Sequence, residues 1–514
     1  MKRRSFLNKL AATGMVLPMT MGFPRVRAFA QPPAGSPFAK LAAANTDRIF
    51  IFIRLAGGND GLNTVIPYTN QTYYAAREEG QLYIEAKDVA KLPGSATLGL
   101  HPSLAPLLPL YAEKKLAIIQ NVGYPNQNQS HFRSTDIWLS GTDADVFSQA
   151  GWYAKYLEKM YPDYPNTLPS APFAIELGTY LSTTLVGEKN NMGVAVADLS
   201  YIPGQPDADP TADTHAGDEE QYIREIARQT NIFSNSIIAA ASKQLTNKVT
   251  YPTNNNLGAA LAAIVRIIAG GLPTQMFIVN VGGYDTHSNQ LTQQANLHKQ
   301  LADALAAYQR DLEAFGLDKR VALMTISEFG RRVYSNGTGT DHGSAAPMFA
   351  LGAGVNGGIF GRDPNLDDVE PPGNLKMEYD FRQLYASILS QWYGAADADI
   401  APGPLPRQFT HLPIFQRAAT GVAEDLAAAM GLELGQNYPN PAAVETVIPF
   451  GGVGPDMSVT LALATIEGRE ILREQLSSGQ TSLRLDTRAL PNGSYIYELR
   501  SGAARIARPM TVLR

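Results

Sequence analysis

The sequence predicts an α/β core, with a mostly parallel sheet between helices, followed by a small C-terminal all-β sandwich. Over residues 45–420, short β-branched or aromatic runs alternate with helical stretches, which is typical of a parallel sheet. From about residue 436 the pattern changes to short alternating runs between turns, which predicts a sandwich over 436–514 after a linker at 421–435. The 514 residues suffice for a large core, since domains hold roughly 100–200 residues each.

The composition excludes several classes of site. The chain has no cysteine, which removes disulfides, thiolate zinc sites, iron–sulfur clusters, cysteine nucleophiles and formylglycine made from cysteine. The net charge of −5 includes six basic and no acidic residues in the first thirty positions, so the remainder holds 36 basic against 47 acidic residues. No nucleic-acid partner is therefore expected.

The first thirty residues predict an export signal. Arg3 and Arg4 precede an apolar stretch, and residues 28–30 form an A-x-A cleavage pattern, which is typical of a twin-arginine signal over 1–30. The alternative is a basic amphipathic first helix, which Pro18 and Pro24 would break. No transmembrane segment is expected in the mature protein. We therefore expect the twin-arginine machinery as a partner and a location in the periplasm, then at the cell surface or outside the cell.

Four strand-like runs organise the core, at 48–56, 116–120, 276–281 and 321–326. The carboxyl ends of parallel strands share one edge of a sheet, and ligands bind in the crevice there. Chemically capable side chains follow each run, so we expect them to converge at that edge: Asp60, Ser130, His131, Asp285, His287, Glu328, Asp341 and His342. Gly57-Gly58 and Gly282-Gly283 precede two of the acids and predict tight turns that approach a ligand.

Aspartate and histidine side chains are ligands for divalent cations. We predict that Asp60, Asp285, His287, Asp341 and His342 hold one or two ions, of Zn, Mg, Mn or Ca. Two such ions clamp the attacking and leaving oxygens of a displacement on phosphorus. The alternative is that the aspartates are turn acids bonded to backbone amides, and that the histidines are ordinary polar loop residues.

Four further residues are catalytic candidates. Ser130 opens a helical segment, where it is either the N-cap or a nucleophile that gains from the positive helix terminus. Arg133 is placed to contact a phosphate or sulfate oxygen. Glu328 and His131 are candidates for acid–base catalysis or for support of the ligands.

The core resembles the bacterial domain-of-unknown-function family number 1501 over residues 46–416. The resemblance is carried by residues 55–63, 100–111, 121–141, 281–287, 325–332 and 339–349. That family is similar to the alkaline phosphatase and sulfatase superfamily, so the resemblance implies an alkaline phosphatase-like fold with metals at the sheet edge. It also implies that Asp60 is a first-strand ligand, Ser130 the nucleophile, Asp285 and His287 a ligand pair, and Asp341-His342 a late ligand turn.

The C-terminal region resembles the sorting domain of type IX secretion substrates. The matching stretches are 437–441, 467–470, 483–486 and 490–495. The resemblance implies the type IX machinery as a second export partner. The alternative is a sandwich that stays packed on the enzyme.

These observations favour a secreted metal-dependent hydrolase of phosphate or sulfate esters, in which Ser130 or water is the nucleophile. Its substrate is expected to be a small ester or a sulfated or phosphorylated glycan. A formylglycine sulfatase is disfavoured, since neither cysteine nor a Ser-x-Pro-x-Arg sequence is present. The alternative is a non-catalytic exported protein of the same fold that binds a polysaccharide, an anion or a surface partner.

Overall fold

A computed structural model describes residues 48–166, 168–197, 233–416, 427, 430–455, 457–465, 470–501 and 504–513. The predicted signal at 1–30 and most of the predicted linker at 421–435 lie outside these residues.

The core is built on a nine-stranded sheet. The strands of the core region are β1 (Ile49–Leu55), β2 (Val65–Ile66), β3 (Ala90–Lys91), β4 (Gly99–Leu100), β5 (Leu116–Gly123), β6 (Ala174–Leu177), β7 (Val194–Val196), β8 (Met276–Val281), β9 (Val321–Ile326), β10 (Arg331–Ser335), β11 (Thr340–His342), β12 (Ala346–Leu351), β13 (Gly358–Phe360) and β14 (Tyr379–Asp380). The large sheet has the order β13-β5-β12-β9-β1-β8-β6-β7, and β14 pairs with β5.

All pairings in this sheet are parallel except those of β12, which runs antiparallel to both β5 and β9. The carboxyl ends of β1, β5, β8 and β9 therefore lie at one edge. Strand β1 shows why it is central: Phe50 and Phe52 join the hydrophobic cluster on one face, and Ile51 and Ile53 join the cluster on the other. Since successive side chains point to opposite faces, the unbroken apolar run Ile49–Ile53 is buried on both.

Helices cover both faces of the sheet. They are α1 (Gly61–Thr64), α2 (Gln71–Ala76), α3 (Leu108–Ala112), α4 (His131–Ser140), α5 (Trp152–Met160), α6 (Asn256–Ala269), α7 (Gln290–Phe315), α8 (Phe381–Ser387) and α9 (Asp397–Ile400). Shorter helical turns lie at Glu79–Gln81, Pro102–Leu107 and Thr183–Leu185, and a π-helical turn at Ile388–Trp392. Apolar residues of α4, α5 and α8 pack in one cluster, and those of α6 and α7 in the other.

Two small sheets stand beside the main one. Strands β2, β4 and β3 form one, and β10 pairs with β11 in the other. In the second, Arg331 pairs with His342 across the ladder, which places the start of β10 beside the end of β11. This hairpin follows β9 and carries His342 to the carboxyl edge of the main sheet.

The C-terminal region forms two antiparallel sheets. Its strands are β15 (Glu433–Leu434), β16 (Glu445–Gly451), β17 (Thr460–Thr465), β18 (Glu470–Gln475), β19 (Ser482–Asp486), β20 (Gly493–Ser501) and β21 (Ala504–Val512). The sheet orders are β15-β16-β19 and β18-β17-β20-β21. Ile448 and Leu485 of the first sheet share a hydrophobic cluster with Leu461, Tyr497 and Met510 of the second.

The predicted fold class is confirmed, as a mixed and mostly parallel sheet with helices and as small antiparallel sheets at the C-terminal end. The sequence pattern missed β15 and β18. Within the residues described, no helix is long and apolar enough to span a membrane.

Candidate metal centre

Four side chains from three segments meet at the carboxyl edge of the main sheet. His131 is the first residue of α4, which follows β5. Asp285 and His287 lie in the loop between β8 and α7, and His342 ends β11. These four are called the histidine–aspartate cluster below.

The cluster is centred on the carboxylate of Asp285. Its Oδ1 lies 3.1 Å from Nε2 of His287 and 3.2 Å from Nε2 of His342. Its Oδ2 lies 3.4 Å from Nε2 of His131. The two Nε2 atoms of His287 and His342 are 2.9 Å apart. His131, Asp285 and His342 offer ligand atoms that all lie within 4.8 Å of one another.

The far nitrogen of two imidazoles is held by an oxygen that only accepts. Nδ1 of His131 lies 2.9 Å from Oε1 of Glu328, and Nδ1 of His342 lies 2.8 Å from the carbonyl oxygen of Gln129. In a neutral imidazole the proton therefore sits on Nδ1, and Nε2 presents a lone pair. Such support of the far nitrogen is the usual arrangement around metal-binding histidines.

Glu328 lies directly after β9 and is buried. Its Oε1 also accepts the backbone N–H of Gly57 at 2.8 Å, which ties it to the turn after β1. Its Oε2 is buried and makes no hydrogen bond to the residues described. Glu328 thus orients His131 from beneath the cluster.

Asp341 lies beside the cluster. Its Oδ1 is 3.7 Å from Nδ1 of His287, beyond hydrogen-bond distance. Arg332 donates to its Oδ2 at 3.0 Å, and Asn336 donates to its Oδ1 at 3.0 Å. The hydrogen bond from Asn336 and the charge of Arg332 hold the pKa of Asp341 below its usual value, against a smaller opposing effect of burial.

The buried guanidinium of Arg331 lies under the cluster. Its Nη2 donates to Oδ1 of Asp285 at 2.6 Å, and its Nη1 donates to the carbonyl oxygen of Thr340 at 2.8 Å. Burial alone would raise the pKa of Asp285, but the hydrogen bond and the positive charge of Arg331 oppose it, and the pKa is about 2. Burial lowers the pKa of His342. Near neutral pH, Asp285 is therefore an anion and the imidazole of His342 is neutral.

These groups fit a divalent cation. With both protons on Nδ1, the lone pairs of His131 and His342 are directed at the two oxygens of one carboxylate, from 3.2 to 3.4 Å. Facing acceptors repel each other unless a proton or a cation lies between them. Three imidazole nitrogens and one carboxylate form a typical donor set for zinc and related borderline metals.

Ser130 lies between two residues that contact the cluster, Gln129 and His131. It occupies the N-cap position of α4, but its side chain makes no capping hydrogen bond. It is exposed. Its backbone N–H donates to Oδ1 of Asn128 at 2.8 Å. The hydroxyl is thus available at the uncapped start of a ten-residue helix.

The structure does not bring Asp60 into the cluster. The carboxylate is buried in an ion pair with Arg77, and its Oδ1 accepts the N–H of Leu62 at 3.1 Å as the N-cap of α1. Gln290 donates to Oδ2. Both oxygens are occupied by protein donors, so Asp60 takes the turn-acid role that stood as its alternative.

Arg133 is also held elsewhere. Its Nη2 donates to the carbonyl oxygens of Ala144 and Val146, at 2.9 and 2.8 Å, and its guanidinium lies 3.9 Å from the ring centre of Phe147. These contacts of Arg133 stabilise the loop after α4.

Arg331 and Gln129 were missed by sequence reasoning. Arg331 lies three residues after Glu328, so the expectation that side chains following a strand converge at the sheet edge could have included it. Nothing in the sequence marks Gln129, because it contributes only a backbone carbonyl.

Family models match two parts of the chain. Residues 47–397 match the model described as "Protein of unknown function (DUF1501)". The chain belongs to this family. Residues 436–512 match the model described as "Secretion system C-terminal sorting domain". Both resemblances drawn from the sequence are thereby confirmed, and the type IX sorting domain indicates secretion to the cell surface or the outside. No curated protein matches the chain.

Solved structures similar to this member of the DUF1501 family include two large proteins. One is a protein in the alkaline phosphatase superfamily from Vibrio parahaemolyticus, at 10% identity, with 95% of this chain and 88% of that chain covered and a TM-score of 0.34. The other is the PsFucS1 sulfatase from Pseudoalteromonas sp., at 12% identity, with coverage of 88% and 87% and a TM-score of 0.33.

A third similar structure is a DUF3244 family protein with an immunoglobulin-like β-sandwich fold from Bacteroides vulgatus. It has 12% identity, covers 16% of this chain and 94% of its own, and has a TM-score of 0.13.

Proposed function

We propose that this DUF1501 protein is a secreted or surface metal-dependent hydrolase of phosphate or sulfate esters. The observation that carries the proposal is the convergence of the His131 and His342 lone pairs on the carboxylate of Asp285. A cation between these groups removes their mutual repulsion, and the far nitrogens are already fixed for that purpose.

The residues that would hold the ion are His131, Asp285, His287 and His342. Asp341 and Glu328 would support the ligands from behind rather than bind the ion. A divalent ion supplies Lewis-acid polarisation of an ester oxygen and neutralises charge on the transferred group. The cluster supports one ion more directly than two, since Asp60 is held by Arg77.

Ser130 is the proposed nucleophile of the chain. Its hydroxyl does not cap α4, so the first-turn amides of that helix remain available to an anionic ester group. Ser130 directly precedes His131, at the start of the helix that carries this member of the cluster. Water is the alternative nucleophile, and the two are separated by replacing Ser130 with alanine.

Export is proposed to begin at the twin-arginine signal in residues 1–30 and to end through the sorting domain. A folded protein crosses the inner membrane on the twin-arginine route, so the metal is proposed to bind before export. A small ester or a sulfated or phosphorylated glycan outside the cell is the proposed substrate.

One observation favours the second candidate function, a non-catalytic exported protein that binds a polysaccharide, an anion or a surface partner. Arg331 is buried and donates to Asp285 at 2.6 Å, so the carboxylate already has a cationic partner. In that case the cluster is a self-contained ion-pair network without a metal.

Activity with and without metal separates the two functions. The mature protein is stripped with a chelator, reloaded with Zn, Mg, Mn or Ca, and assayed on a panel of phosphate and sulfate esters. We expect hydrolysis that is lost on stripping and restored by one of the ions. Asp285→Asn is expected to lower kcat/KM at least about 100-fold, because it removes the anionic ligand at the centre of the cluster.

Asp303→Asn is the matched control, since that aspartate forms only a surface ion pair with Lys299 on α7. It is expected to retain full activity. Absence of hydrolysis with every ion, together with less than about one tenth of an equivalent of bound metal, would favour the non-catalytic function.

A further inference from the structure

Gln290, a buried residue outside the cluster, links the two segments that carry three of its four members. It is the first residue of α7 and is fully buried. Its side-chain Oε1 accepts two hydroxyl groups, from Thr286 at 3.1 Å and from Thr340 at 2.7 Å. Thr286 lies between Asp285 and His287.

Thr340 lies two residues before His342 on β11. Its backbone N–H donates to the carbonyl oxygen of Thr286 at 3.3 Å, and the backbone N–H of Gln290 donates to that of Thr338 at 2.9 Å. The loop after β8 and the β10–β11 hairpin are far apart in the chain, and the side-chain amide of Gln290 joins them in addition to these backbone hydrogen bonds.

The other end of the Gln290 amide is anchored to the core. Its Nε2 donates to Asp60, whose carboxylate is paired with Arg77. Arg77 in turn donates to the carbonyl oxygens of Val333, at 2.6 Å, and Arg332, at 3.1 Å, on β10. The chain of contacts runs from a buried ion pair through one amide to both ligand-bearing segments.

Only an amide satisfies all these partners at once. The oxygen must accept two hydroxyls, while the nitrogen must donate to a carboxylate, which fixes the orientation of the amide. A glutamate would set a second negative charge against Asp60, and a leucine would leave the two hydroxyls and the carboxylate without this partner.

We infer that Gln290 is a positioning residue that holds Asp285, His287 and His342 in mutual register, with Asp60 and Arg77 as its anchor. This inference rests on the proposed function, because the register matters most when the cluster binds a metal. It also assigns a role to Asp60 that differs from the ligand role predicted from the sequence.

Co²⁺ titration of the metal-stripped protein, followed by visible absorption, tests the inference. Gln290→Leu is expected to weaken Co²⁺ binding about tenfold and to alter the absorption bands, since the ligands lose their shared register. Thr340→Val is expected to weaken binding in the same direction, and Thr340→Ser, which keeps the hydroxyl, to restore it.

Gln309→Leu is the matched control, because Gln309 is also fully buried on α7 but contacts Glu313 instead. It is expected to lose stability without changing Co²⁺ affinity by more than about twofold. Equal Co²⁺ affinity and equal spectra for the wild type, Gln290→Leu and Thr340→Val would overturn the inference while leaving the proposed metal site intact.

The imidazole C–H signals of the metal-free protein give a readout that needs no metal, and the chain has only seven histidines. The signals of His287 and His342 are expected to shift in Gln290→Leu and to stay unchanged in Gln309→Leu. Unchanged signals in both variants would reject the positioning role. If the wild type does not bind Co²⁺ while the signals shift in Gln290→Leu, only the proposed function is rejected, and the positioning role stands.

Discussion

Asp285 is the central residue of the histidine–aspartate cluster, since its carboxylate lies within 3.4 Å of all three imidazoles. Asp285, His287 and His342, three of the predicted ligands, do meet, because β8 and β9 both pair in parallel with β1 and end at the same edge, and the hairpin that follows β9 carries His342. Asp60 follows β1 as expected, but its carboxylate pairs with Arg77 and does not join the cluster. Arg77 lies 17 residues away on α2's C-terminal side, and only the folded chain brings its guanidinium to the carboxylate.

The carboxylate of Glu328 contacts both the backbone N–H of Gly57 and the imidazole of His131. Glu328→Gln keeps an oxygen for the N–H of Gly57 but removes the negative charge that supports His131. We expect metal affinity to fall about 10- to 100-fold, measured by competition with a chelator. Glu158→Gln is the control, because Glu158 also accepts backbone N–H groups, at positions 188–190, but lies on α5. A Glu328→Gln protein that binds metal as tightly as the wild type would exclude this supporting role.

The elements were predicted more accurately than the contacts. The runs at 276–281 and 321–326 coincide with β8 and β9, because strands buried on both faces form mostly apolar runs. The same pattern carries no information on direction, so the antiparallel β12 was not foreseen. The two Gly-Gly turns also differ: Gly57 and Gly58 both have positive φ, whereas in the second turn only Gly283 does.

The turn after β1 packs closely against the loop that carries Asp285. Gly57 has φ of +126°, and a Cβ there would lie 2.2 Å from the backbone nitrogen of Asp285. We expect Gly57→Ala to cost about 3 kcal/mol of unfolding free energy, from backbone strain and overpacking, and to weaken metal binding by displacing Asp285. Chemical denaturation measures the first effect and chelator competition the second.

Gly282→Ala is the control for that experiment, since a Cβ at Gly282 meets nothing within 4 Å and its φ is not positive. It is expected to change stability by less than about 1 kcal/mol. Equal effects of the two substitutions would mean that the close approach of the turns does not matter.

Two buried histidines, His101 and His298, make the free energy of unfolding of the whole protein depend on pH. Burial lowers the pKa of His101 to about 4, although Asp60 acts in the opposite direction. Burial, and to a smaller extent the neighbouring His101, lowers the pKa of His298 well below its ordinary value. Both are neutral in the folded protein, whereas the unfolded chain protonates them below about pH 6.5.

The contribution of these two histidines to the free energy of unfolding is therefore expected to be fully present above about pH 6.5. It is expected to fall as the pH drops from there towards 4. Each histidine adds at most about 1.4 kcal/mol per pH unit to the slope of the free energy of unfolding against pH. Urea denaturation at a series of pH values measures it. His101→Asn keeps an acceptor for the N–H of Ser103 and is expected to reduce the slope. An unchanged slope in that variant would show that His101 does not titrate on unfolding.

The C-terminal sheets enclose a hydrophobic cluster of their own, separate from the three clusters that the described residues of the α/β core form. Deleting residues 436–514 is therefore expected to leave the core folded, with a Tm within a few degrees of the full chain, roughly the effect of 1 kcal/mol or less. The same deletion is expected to trap the protein in the periplasm, which cell fractionation detects. Normal surface delivery of the truncated protein would contradict the sorting role.

The proposed metal centre is tested most directly by anomalous X-ray diffraction from crystals of the mature protein, grown with Zn²⁺ and measured on both sides of the zinc edge. We expect one strong anomalous peak within about 2.0–2.2 Å of Nε2 of His131, His287 and His342 and of a carboxylate oxygen of Asp285. No peak at this position, with Arg331 remaining the sole cationic partner of Asp285, would contradict a metal site here.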